Sequence, residues 1–341
     1  MAARSKGGRE GTAPAAAGEY CNVLARQCGL DPAGHADSFA DLLLLETPLP
    51  WRSNLYAEAG ALPQAMIDLY ALWLRRWQAG EPYNHRALQI APDPELSQAG
   101  YRRVIFYTRP PGAFAQFTRV EYMVPNAEAG ALLWALYEER DRLPAFEPYR
   151  LPEPPDRPVR DILVCTHGTV DVACARFGYP LYRHLRDRYQ GDDLRIWRAS
   201  HFGGHVFAPT LIDLPTGHYW AYVTEAAAAQ IVGRCGDVPE MRGCLRGWAG
   251  LADGFAQAAD CALSELEGWG WFDCARQAQV IAQDESAPEP QWATLRIDYT
   301  RPDGTRGVYS AEVRITHTVA TRHSSGDADE YAYPQYAVSV V

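Results

Sequence analysis

The chain has 341 residues, 47% hydrophobic and 22% charged, with a formal net charge of -10, which suits a globular fold somewhat longer than one compact unit. The acidic balance and the lack of a long basic run speak against a nucleic-acid partner, because phosphate-backbone binding needs clustered Lys and Arg. No apolar run reaches the ~18 residues of a membrane span, so no membrane insertion is expected.

Residues 1–18, MAARSKGGREGTAPAAAG, lack an apolar h-region and read as a disordered tail rather than a secretory signal. Eight cysteines without an export signal point to free thiols or metal ligands, not disulfides, and to the cytoplasm. Residues 19–29 predict a short helix on which Cys21 and Cys28 act as small hydrophobes. The run DLLLL at 41–45, ended by Pro48 and Pro50, predicts a buried strand. Met66, Ile67, Leu69, Tyr70, Trp73, Leu74 and Trp77 recur at helical spacing over 62–77. Strand-like runs at 87–90, 103–108 and 114–124 and a helical stretch at 127–140 complete the order β-α-β-β-β-α.

The proline-rich LPEPPDRP at 151–158 marks a domain boundary. Beyond it come a strand at 161–165, a helix at 177–189 and a strand at 194–198. A hairpin at 210–214 and 218–223 around Pro215-Thr216-Gly217 and a helix at 224–232 follow. The order repeats that of the first half without residue identity, so a duplicated architecture is expected. From 236 onward an amphipathic helix at 251–269 precedes a hairpin, 294–299 and 307–318, around Arg301-Pro302-Asp303-Gly304. A polar break at 324–330 and a strand at 336–341 end the chain. This extension carries no recognisable chemistry and suits a docking surface or a homodimer contact.

The chemistry gathers in two stretches of the second half. In CTHGTVDVACARFG, Cys165 ends a strand and Cys174 stands where a helix begins, which is where open α/β sheets place their sites. In WRASHFGGHVFAPTLIDLP, His201 and His205 flank Gly203-Gly204, and adjacent glycines favour a tight loop over a helix. APTLIDLPTG resembles the cis-proline turn and hairpin of the thioredoxin-like fold, in which these two loops face each other. Cys165, Cys174, His201 and His205 are therefore expected to converge. Two thiolates and two imidazoles suit either tetrahedral zinc or an iron-sulfur cluster with histidines on one iron. The eight residues between Cys165 and Cys174 depart from the close cysteine pair of zinc fingers, and separated ligand loops fit the wider 2Fe-2S cluster better. Cys165-Thr166-His167 echoes one half of a Rieske motif whose other half is missing, so His167 is a reserve ligand with a hydrogen-bonding role behind the ligands expected. A thioredoxin-type thiol-disulfide oxidoreductase would need C-x-x-C at the helix start, and the sequence has none. Cys235, Cys244, Cys261 and Cys274 read as buried thiols.

CTHGTVDVACARFGYPLYRHLR, WRASHFGGHVFAPTLIDLPTG and the upstream LLLLETPLPW together resemble the sucrase/ferredoxin-like family, which has relatives in yeast. The resemblance covers roughly 21–235 and implies an α/β protein. A thioredoxin-like ferredoxin domain at 159–235 would follow a degenerate thioredoxin-like α/β domain at 19–150 and precede a helical and β-hairpin extension at 236–341. It further implies a 2Fe-2S cluster held by Cys165, Cys174, His201 and His205. Glu46 or Thr47 falls where the first domain would need a cysteine, so that domain reads as a cofactor-free scaffold. Val170 replaces an arginine of many relatives, and Ala173 replaces a further cysteine, which removes a competing ligand. Trp51 matches the first family box, as packing or as an edge of the site. The implied function is one-electron transfer with a reductase or an electron acceptor. Imidazole ligands would raise the potential and couple it to pH. The protein reads as an electron carrier rather than an enzyme, and no carboxylate pair supports the sucrase of the family's name.

Overall fold

The computed structural model describes residues 20–57, 60–154 and 158–341; the expected tail at 1–18 and part of the proline-rich boundary lie outside them. Helix α1 (Cys21–Gln27) precedes β1 (Asp41–Glu46), α2 (Gln64–Gln78), β2 (His85–Ile90), β3 (Tyr101–Thr108), β4 (Thr118–Pro125) and α3 (Ala129–Tyr137). The second half repeats this order with β5 (Arg160–Cys165), α4 (Val172–Tyr189), β6 (Leu194–Ala199), β7 (Leu211–Leu214), β8 (His218–Trp220) and α5 (Glu225–Gly233). A short strand β9 (Leu245–Trp248) then adds to the sheet. The strand expected from 114 begins only at Thr118, because Phe114 instead bridges to Arg276.

These nine strands form one mixed sheet in the order β4-β3-β1-β2-β6-β5-β7-β8-β9. In each half the first two strands pair in parallel and the rest antiparallel. The halves meet where β2 and β6 pair antiparallel at Ile90 and Ala199. Four consecutive leucines satisfy a strand only when both of its faces are covered, and β1 is buried along its whole length. Leu43 and Leu45 face Met66, Leu69 and Trp73 of α2 and Leu132 and Leu133 of α3. Leu42 and Leu44 face the other way, into a core shared with Leu163, Trp197, Ile212 and Leu214 of the second half. Ile162, Val164 and Ile196 in turn point toward Leu181 and Leu185 of α4 and Ile231 of α5. The two half-sheets thus pack on each other, with their helices outside.

A buried ion cluster crosses that shared core. Asp161 of β5 receives Nε and Nη2 of Arg195 at 2.8 and 2.9 Å, Nε1 of Trp197 at 2.6 Å, and the Tyr107 hydroxyl from β3. Arg195 also donates to Glu121 of β4 at 2.9 Å, and Glu121 pairs with Arg103 and Arg119. Burial opposes the charge on Asp161, but Arg195 and Arg119 outweigh it and hold its pKa at about 2.

Beyond β9, helix α6 (Gly254–Glu267) is capped by Asp253, whose carboxylate accepts from the Ala256 N–H. It packs against a separate antiparallel sheet of β10 (Ala275–Gln283), β11 (Trp292–Thr300), β12 (Arg306–Arg322) and β13 (Glu330–Val340). The sequence predicts only a hairpin and a last strand from 336. It misses β10 because half of that strand is exposed and shows no alternation, and it misses the start of β13 because its first residues are exposed too. Among the described residues, no helix is long and apolar enough to cross a membrane.

Candidate metal centre

The end of β5, the start of α4 and the loop after β6 meet at one place. Cys165 closes β5 and is buried, and its N–H donates to the Thr210 carbonyl beside the cis Ala208–Pro209 bond. Helix α4 can approach that strand end because Gly178 faces it, where a Cβ would collide with the Cys165 carbonyl. Asp171 caps α4 by accepting from the Ala173 N–H at 2.8 Å, which places Cys174 in the first turn, also buried. The histidine loop turns back through Gly203 and Gly204, with φ of 89° and 72°. Side chains there are excluded twice, by the left-handed backbone and by Arg246, whose guanidinium carbon lies 2.6 Å from where a Gly204 Cβ would stand. Arg246 donates to the Gly203 carbonyl at 3.1 Å and so braces the turn.

The folded loops bring Cys165, Cys174 and His201 together, with one donor atom of each within 4.8 Å of the others. Nδ1 of His201 lies 3.9 Å from the Cys165 sulfur and 3.7 Å from that of Cys174. Burial pushes the Cys165 thiol up, but hydrogen bonds from Cys174 and His201 hold it well below the usual thiol range. The hydrogen bond to Cys165, and then burial, keep Cys174 well above that range.

His205 stands next to this trio, its ring centroid 5.3 Å from that of His201, but its Nδ1 belongs to a second group. Cys21, Asp171 and His205 also bring donor atoms within 4.8 Å of one another, all three buried. Burial, only partly opposed by Asp171, keeps His205 neutral with a pKa of about 3, the protonation state that a ligand imidazole needs. His167 accepts the His201 N–H at its Nδ1 (3.1 Å), and its Nε2 lies 2.9 Å from the Arg52 carbonyl. Both of its nitrogens are engaged in holding the loop, which suits the role behind the ligands. Trp51 packs edge-on against His167, ring centroids 5.6 Å apart, and its carbonyl accepts the Thr169 hydroxyl at 2.9 Å. The first half therefore buttresses the cysteine loop through Trp51 and Arg52.

Four residues near the centre escape sequence reasoning. Cys21 is buried as expected, but it faces His205 and not merely the apolar core. Asp171 carries a readable signal as a helix cap three residues before Cys174. Ser325 and His323, from the segment after β12, have none, since only the fold brings them beside Asp171 and His205. Cys235, Cys244, Cys261 and Cys274 join neither group; Cys261 and Cys274 are buried as expected, their sulfurs directed at the carbonyls of Leu245 and Gly270, whereas Cys235 is exposed and Cys244 only half-buried, because both lie in the loop region between α5 and β9.

The family model described as sucrase/ferredoxin-like matches residues 32–247. No curated protein and no solved structure matches the chain.

Proposed function

Starting from a chain that belongs to the sucrase/ferredoxin-like family, we propose that it is an iron-sulfur electron carrier whose 2Fe-2S cluster is held by Cys165, Cys174, His201 and His205. The observation that carries this reading is the meeting of the buried Cys165 and Cys174 with the half-buried His201, the His205 ring alongside. The donor set of two thiols and two imidazoles fits the cluster chemically. The strand order β6-β5-β7-β8 and the cysteines at strand end and helix start favour a thioredoxin-like ferredoxin domain at 159–235. The same order in β2-β1-β3-β4 favours a degenerate copy at 19–150.

Bound there, the cluster supplies a one-electron couple. The chain's part is to tune and expose it. Neutral imidazoles in place of two thiolates lower the negative charge that the site must carry, which raises its potential above that of all-cysteine ferredoxins. The buried sulfurs exclude water, while the half-buried His201 offers the nearest edge for exchange with a reductase or an acceptor protein. A histidine ligand whose outer nitrogen can release a proton would couple the potential to pH, and the potential would then fall as pH rises.

Anaerobic purification with iron, sulfide and zinc analysis, followed by EPR of the reduced protein, tests the reading. Two irons and two sulfides per chain with a reducible signal are expected; a colourless protein without iron overturns it. A potential that stays flat from neutral to alkaline pH removes the proton coupling alone. A second reading, one tetrahedral zinc, is favoured by the compactness of the trio, since Zn–S of about 2.3 Å and Zn–N of about 2.0 Å put donors about 3.5–3.8 Å apart. Stoichiometric zinc without sulfide would select it.

A further inference from the structure

The group around His205 contains more polar partners than a buried ring needs. Nδ1 of His205 lies 3.4 Å from Oδ2 of Asp171 and 3.4 Å from the Cys21 sulfur. Asp171 is itself held rigidly. Its Oδ1 accepts from the Ala173 N–H at 2.8 Å and the Ser325 hydroxyl at 2.7 Å, and its Oδ2 accepts from the Ser325 N–H at 2.8 Å. The Ser325 hydroxyl in turn accepts the Cys21 N–H at 3.1 Å. The Ala173 N–H and both Ser325 groups donate to the carboxylate, which acts as acceptor throughout, so the ring nitrogen 3.4 Å from Oδ2 is best satisfied as Nδ1–H.

Two other readings of the trio fail on geometry. A nucleophile relay would place the thiol and the carboxylate at opposite nitrogens of the ring, whereas both meet Nδ1. A second metal site would compete for a carboxylate whose oxygens already accept three hydrogen bonds from Ala173 and Ser325.

An imidazole with Nδ1–H committed to a carboxylate has only Nε2 left for a metal. Histidine ligands commonly donate their other N–H to a carboxylate, which fixes the tautomer and raises ligand basicity. We infer that Asp171, anchored by Ser325 from the segment after β12, is a positioning residue that holds His205 in the Nδ1–H tautomer and leaves Nε2 as its ligand atom. The inference rests on the reading of His205 as a ligand. It gives the C-terminal extension, which lies beyond the family match at 32–247, a direct part in the centre.

The tautomer is read first in the unmodified full chain loaded with zinc, by nitrogen-15 NMR of the histidine rings. A proton on Nδ1 of His205 is expected, and a proton on Nε2 overturns the inference. Asp171→Asn is the paired variant, because asparagine caps a helix as well as aspartate while losing the charge. Its iron retention against a chelator should fall about 10–100-fold, and the potential of the remaining cluster should rise. Ser325→Ala leaves the cap and the charge intact and should move the potential the same way by less, which keeps the test open if the asparagine variant folds poorly. His205→Ala separates the two claims. If it loses iron and Asp171→Asn does not, Asp171 does not position the ligand; if His205→Ala itself leaves iron and spectrum unchanged, His205 is no ligand and both statements fall.

Discussion

The two halves of the nine-stranded sheet share a strand order and differ at the ends of the strands. Where β5 ends in Cys165, β1 ends in Glu46, whose carboxylate accepts from Ser97 at 2.9 Å, and the Thr47 hydroxyl turns back to the Leu45 carbonyl. Helix α4 opens on a carboxylate cap, whereas α2 opens on Pro63 with no side-chain cap. The loop after β6 carries two histidines and two glycines; the one after β2 carries Pro92, Asp93 and Pro94. In the first half Glu46 and Thr47 close on groups of that half and Asp93 pairs with Arg186 of α4, whereas the second half brings donor atoms of Cys165, Cys174 and His201 within 4.8 Å of one another. The lesson is that a shared scaffold is neutral as to chemistry and that three loop segments decide it.

Breaking the donor set should have the largest effect. Cys165→Ser or Cys174→Ser is expected to bring iron per chain to background while circular dichroism stays unchanged; retained iron in both would place the centre elsewhere. Next comes the joint between the halves. Asp161→Asn leaves Arg195 and Arg119 facing a neutral group in a buried site and should cost about 3–5 kcal/mol in denaturant unfolding. Its charge also sets a pH window. A carboxylate at about 2 in the folded state and about 3.9 unfolded adds stability above the unfolded value and loses it as pH falls through the folded one, about 2–3 kcal/mol in all. Acid unfolding of the parent should therefore steepen between pH 4 and 2 relative to the variant, and parallel curves would contradict this. A smaller effect follows from Gly178→Ala, which presses α4 away from the Cys165 carbonyl. About 1–3 kcal/mol of lost stability should come with lower iron retention, and an unchanged melting curve would show that the close approach is dispensable. The smallest effect sharpens the comparison most: Glu46→Cys, at the position matching Cys165, should bind no additional iron.

The strands and helices of both halves were legible because their apolar periods match the faces they bury, β1 by its unbroken leucines and α2 by Met66, Leu69 and Trp73. Cys165, Cys174 and the HFGGH loop were legible as local spacing next to turn residues. The surroundings of His205 were not. Cys21 and Ser325 are 304 residues apart, and neither carries a local pattern that announces a role at Asp171. The ion cluster around Asp161 was hidden for a similar reason. Arg103, Arg119, Glu121 and Arg195 look like solvent-facing charges on alternating strands until one half-sheet is laid on the other.

The anchor of Asp171 in Ser325 also sets a calendar for the molecule. The two residues are separated by 154 positions, so at a synthesis rate of about 5–20 residues per second the cysteine loop emerges roughly 8–30 s before the serine that covers it. During that interval Asp171 lacks the two hydrogen bonds that Ser325 gives it in the folded chain.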